Sequence, residues 1–123
     1  MTSCAIGVQQ GDMIMGVFCQ NNGELEYTGA ILEKSYDCVK SNTLGRYGDI
    51  VMLQESLQDT TFYKRDKGDL ESHSEQFFTE DKFRAFYQKH RKATEFYLRT
   101  RHGWQYFNKE TDDWMPVAST VTA

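Results

Sequence analysis

The segment Thr79 to Lys92, TEDKFRAFYQKHRK, carries the signals for both ends of a helix in its own residues. Thr79 can cap the first turn, where Glu80 and Asp81 offset the positive end of the helix dipole. Lys89, Arg91 and Lys92 offset the negative end. Phe83, Phe86, Tyr87 and His90 fall on one face at helical spacing, so this helix has a side that needs cover.

The segments around it decide what that cover is. SCAIGV (3–8) and MIMGVFC (13–19) are rich in strand formers, and QQGD between them is a turn signal, so the chain opens on an antiparallel hairpin. QNNG (20–23) ends its second strand. At the other end EFYLRTR, HG, WQYFN, KETDD and WMPV read as three strands joined by two turns, with Pro116 placed where an edge strand tolerates a missing donor. Between these blocks, Leu25, Ile31, Leu32, Tyr36 and Val39 predict a second helix from about Tyr27 to Lys40. Gly29 counts against it by about 1 kcal/mol relative to alanine. IVMLQ is a short extended piece or a single helical turn, TTFYKRD a strand, and KGDLESHSEQ a polar loop. The expectation is an α+β fold in one domain spanning 1–123: an antiparallel sheet with two main helices packed on one face.

Several chemistries are disfavoured. The chain has no Walker loop, dinucleotide glycine fingerprint or serine hydrolase elbow. His73, His90 and His102 do not begin His-x-Ser or His-x-Thr pairs, which argues against a two-histidine phosphoesterase. Cys4, Cys19 and Cys38 lack the spacing of a zinc site and suit free thiols in a reducing compartment. They are expected to be structural, so that alanine at Cys19 or Cys38 lowers stability and leaves binding intact. The reading is of no catalytic residues, no metal and no cofactor. No apolar run has membrane-spanning length, which predicts no membrane partner.

Net charge is −4, which argues against a nucleic-acid polymer as partner, since a phosphate backbone needs a broad basic footprint. A small anion needs only a local cluster of cations. From Lys82 to Arg101 there are seven lysines and arginines and one acid, Glu95. Within that run, Arg99 and Arg101 alternate with Leu98 and Thr100 and so share a face of their strand. Trp104 and Tyr106 share a face across the turn. Register permitting, two guanidinium forks and two aromatic planes would lie together, as a phosphate with an adjoining base requires. Cation–π dressing of an exposed sheet face is the competing reading. Phe83 and Tyr87 are further candidate stacking rings.

MGVFCQNNGELEYTGAILEKSY, LGRYGDI and FYKRDKGD together resemble a group of small proteins encoded by bacteriophages. The shared steps are Phe18–Cys19, Asn21–Asn22–Gly23, Glu26–Tyr27–Thr28–Gly29, Gly48–Asp49–Ile50 and Tyr63–Lys64–Arg65–Asp66–Lys67–Gly68. The chain departs from the group at Gln20, where a histidine is usual, and at Leu25, where a proline is usual. The resemblance extends to the sponges that defeat Thoeris defence. It implies a homo-oligomer in the host cytoplasm that sequesters a cyclic ADP-ribose signal, or cyclic oligonucleotides, without cutting it. It also makes Arg65 a candidate ligand contact. Two alternatives stand beside it. One is a phage inhibitor acting by direct protein contact, in the manner of an anti-CRISPR; the other is a nucleotide-cleaving enzyme. The surplus of large rings (Phe83, Phe86, Tyr87, Trp104, Trp114) over what a two-layer core absorbs also points to a homo-oligomer.

Overall fold

The computed structural model describes residues 2–19, 23–36, 50–52, 61–63 and 75–117. Among these, eight strands form one sheet: β1 (Cys4–Gln10), β2 (Met13–Cys19), β3 (Ile50–Met52), β4 (Thr61–Tyr63), β5 (Glu75–Phe77), β6 (Glu95–Thr100), β7 (Gly103–Asn108) and β8 (Asp113–Pro116). The path across the sheet is β4-β3-β2-β1-β6-β7-β8. β5 joins the same edge of β2 as β3, pairing Ile14–Gly16 while β3 pairs Phe18 and Cys19. The sheet is mostly antiparallel, but β1 runs parallel to β6 and β2 parallel to β3. The opening hairpin and the three C-terminal strands form as their turn signals predict.

The helix α1 (Ala30–Ser35) is entered through a π-helical turn at Leu25–Gly29. It ends at Ser35, with Tyr36 at its C-cap in a non-helical conformation (φ −114°, ψ 86°), and residues 37–40 of the predicted helix lie outside the described residues. The indole Nε1–H of Trp104 donates to the Tyr36 carbonyl at 2.9 Å, satisfying one of the acceptors at the helix end. The helix α2 (Glu80–Arg91) follows its sequence signals. Thr79 Oγ1 accepts from the Lys82 amide at 3.2 Å. At the other end Lys92 adopts a left-handed conformation (φ 56°), and the Ala93 amide closes onto the Tyr87 carbonyl at 3.1 Å.

The two helices cover opposite faces of the sheet, which corrects the expectation that both pack on one. Cys4, Ile6, Val8, Val17, Cys19, Tyr97 and Trp104 join Ile31, Leu32 and Tyr36 in a core on the α1 side. Ala5, Ile14, Phe18, Phe96, Leu98 and Phe107 join Phe83 and Tyr87 in a second core on the α2 side. Successive side chains of a strand point to opposite faces, so runs such as CAIGV and GVFC are apolar on both sides and need two covering layers. These two cores take in Phe83, Tyr87 and Trp104 within one chain, with Phe86 and Trp114 half-buried against the second. The count of large rings therefore gives no argument for a subunit interface. No described helix is long and apolar enough to cross a membrane.

A buried phenol adds a pH dependence to the α1-side core. The Tyr97 hydroxyl donates to the Gly23 carbonyl at 2.7 Å, and burial pushes its ionisation far above the ordinary phenol value. Burial likewise raises the Cys4 thiol. The unfolded chain releases the tyrosine proton near pH 10 while the folded chain keeps it, so the stability that Tyr97 contributes is full below that pH and falls above it. The expected slope is about 1.4 kcal/mol per pH unit for Tyr97. Urea unfolding followed from pH 8 to 11 should show it, and Tyr97→Phe should flatten the decline. An unchanged slope in Tyr97→Phe would assign the alkaline loss to other groups.

Candidate functional site

The hairpin of β6 and β7 brings together only part of the predicted cluster. Its register sets Arg99 opposite Trp104 and Tyr97 opposite Tyr106, all on the α1 face. Trp104, however, is 2% exposed with its indole N–H committed to Tyr36, so it serves the core and offers no stacking face. Tyr106 is half-buried, with its ring centroid 5.8 Å from that of Tyr97. Its phenol is held up by burial and by the Glu95 carboxylate beside it.

Arg101 leaves the strand alternation altogether. β6 ends at Thr100, and Arg101 and His102 are the exposed central residues of the turn. Gly103 follows with φ 105°, a conformation that a side chain rarely tolerates. The His102 amide donates to Thr100 Oγ1 at 3.1 Å, and Arg101 Nε donates to His102 Nε2 at 3.3 Å. Arg99 and Arg101 therefore do not form a two-pronged anion clamp on one face. Phe83 and Tyr87 lie in the core across the sheet from Arg99 and Trp104. Arg65 lies outside the described residues.

The same hairpin does build a groove, on its α2 side. Leu98, Thr100, His102 and Gln105 line it together with Glu80 from the first turn of α2 and Trp114 from β8, around a volume of about 470 Å³. That is within the range of small-molecule sites, roughly 300–1,000 Å³. One wall is fixed by a network. Trp114 Nε1–H donates to Glu80 Oε2, which also accepts from Arg84 Nε at 3.4 Å. Arg84 Nη2 donates to Asp81 Oδ1 at 2.7 Å, and the guanidinium carbon sits 3.9 Å from the centroid of the Phe107 ring. Phe107 in turn meets the Trp114 ring edge-on, with centroids 5.3 Å apart. The half-buried indole is thus held in a defined orientation.

Chemically, the groove offers a flat apolar surface from Leu98 and Trp114, an amide at Gln105, a hydroxyl at Thr100 and an imidazole at His102. Arg101 brings positive charge to its mouth through its contact with His102. Such a set can hold a ring against the indole, bond sugar or base edges, and neutralise an anion. The Thr100 hydroxyl is already engaged, donating to the Gly103 carbonyl at 3.4 Å and accepting from His102. Alternation along β6 and β7 is the signal for Leu98, Thr100 and Gln105, which lie on the face opposite to Arg99, Trp104 and Tyr106. Glu80 and Trp114 carry no local signal and arrive through tertiary packing. No family model, curated protein or solved structure matches the chain.

Proposed function

We propose that the protein is a phage anti-defence sponge that sequesters a cyclic nucleotide signal of the cyclic ADP-ribose type without cutting it, and that the groove between the β6–β7 hairpin, β8 and the start of α2 is where it binds. The observation that carries the reading is the juxtaposition of the oriented Trp114 ring and Leu98 with the Arg101–His102 turn at the groove mouth. The ring supplies a stacking face for a base, and the turn supplies charge for a phosphate. The resemblance to the Thoeris sponges gives the ligand class.

Incubation of the protein with cyclic ADP-ribose isomers, followed by heat release, is the first test. Recovery of intact ligand supports a sponge; altered ligand would mean an enzyme; no depletion would favour an inhibitor that contacts a host protein. Variants then locate the site. Arg101 is exposed, so Arg101→Lys should leave folding unchanged while removing the guanidinium fork. Loss of one charge-assisted contact costs about 1.5–3 kcal/mol, or roughly ten- to a hundredfold in affinity. Arg99→Lys, on the opposite face, should bind as wild type. The reverse pattern in titration calorimetry would move the site to the α1 face.

A further inference from the structure

We propose that Cys4 and Cys19 are a redox-active pair that closes into a cross-strand disulfide, stapling the open end of the first hairpin. The two residues are directly opposed in the β1–β2 register. Directly opposed residues of antiparallel strands lie about 4.5–5.5 Å apart at Cα, inside the roughly 4.4–6.8 Å that a disulfide spans. Opposed side chains share a face, and both thiols sit together in the α1-side core. Both are present as thiols.

Their position gives the bond a consequence. Cys19 is also the register partner of Val51 in β3, and Cys4 of Glu95 in β6. The two parallel seams of the sheet therefore meet the hairpin at these residues. A single bond here would tie the middle of the path β3-β2-β1-β6, at the end of the hairpin that no turn closes. This inference is independent of the groove and of its ligand.

The oxidant is a low-molecular-weight disulfide. One cysteine thiolate attacks a sulfur of that disulfide, forming a mixed disulfide and expelling one thiolate. The second cysteine thiolate attacks the protein sulfur of the mixed disulfide and expels the other. The two protons end on the released thiols, so the protein loses two protons and two electrons, and the small disulfide gains them. Both side chains are buried, so the exchange proceeds through local opening of the strand ends.

The folded protein, incubated with excess oxidised glutathione, acid-quenched and alkylated, is the test. Cleavage at Met13 and Met15 separates Cys4 from Cys19, and trypsin at Lys34 separates Cys19 from Cys38. The expected product joins the fragments that carry Cys4 and Cys19, has lost two hydrogens and retains no glutathione on either residue. Its urea unfolding midpoint should rise, and dithiothreitol should reverse the rise. Cys38→Ala should give the same bond. The proposal is overturned if the folded protein keeps both thiols while the urea-unfolded chain is oxidised. It is equally overturned if glutathione stays on Cys4 or Cys19, if Cys38 takes the place of either, or if the bond lowers the midpoint.

Discussion

Trp104→Ala should lose about 3–5 kcal/mol of folding stability, the range for removing a large buried aromatic. A domain of this size has about 5–15 kcal/mol in total, so much of the margin would go. Trp104 is among the largest fully buried side chains and packs in the α1-side core beside Tyr36 and Val8. Its indole also donates to the Tyr36 carbonyl, at the C-cap of α1, at 2.9 Å. Trp104→Phe separates the two contributions. It keeps most of the ring volume and removes the donor, which should cost about 0.5–1.5 kcal/mol for the hydrogen bond, beyond any loss from the smaller ring. Equilibrium urea unfolding measures both. The sequence alone makes Trp104 a stacking face beside Arg99. A Trp104→Phe protein as stable as wild type but unable to bind ligand would restore that role.

The contrast between Trp104 and Trp114 shows where sequence reading reaches and where it stops. Elements whose signals are local were legible. The Thr79 cap, the charges at each end of α2 and the QQGD turn all act within a few residues, and the structure follows them; the HG signal marks the second hairpin, but its turn falls one residue earlier, on Arg101 and His102. The side of the sheet that each helix takes has a sign in the sequence too, one that the expectation of a single covered face overlooks. CAIGV is an unbroken apolar run, as a strand covered on both faces requires, whereas an alternating run marks a strand covered on one. The parallel seam between β1 and β6 joins segments about ninety residues apart and leaves no mark on either. The same holds for the groove. Leu98, Thr100 and Gln105 follow from alternation once the other face is considered, but the wall made by Glu80, Arg84, Phe107 and Trp114 exists only because α2 and β8 meet. Arg101 illustrates a subtler failure. Alternation places it beside Arg99, but the strand ends one residue earlier, and the turn points it elsewhere.

Gly16→Ala tests the second core at its tightest point. Gly7 and Gly16 are opposed in the β1–β2 register and form a flat patch beneath α2. A Cβ at Gly16 would stand 2.9 Å from Tyr87 Cε2, 3.0 Å from Tyr87 Oη and 3.1 Å from Phe77 Cε2. A methyl group at an ordinary strand position would stabilise by about 0.4–1 kcal/mol, because alanine restricts the unfolded chain. Collision acts in the other direction. Overpacking a close-packed core costs about 1–3 kcal/mol, and Tyr87 has little room to yield. Its ring is flanked by Phe77 at 5.7 Å, Phe83 at 5.5 Å and Phe86 at 5.0 Å between centroids. A net loss of stability is therefore expected, with α2 pushed outward from the sheet. Trimming the opposing ring should recover part of it. Tyr87→Leu in the Gly16→Ala background should cost less than Tyr87→Leu alone, giving a coupling of about 0.5–3 kcal/mol in a double-mutant cycle. Additive losses would mean that the two residues do not press on each other, and that α2 sits farther from the sheet than the glycine pair allows.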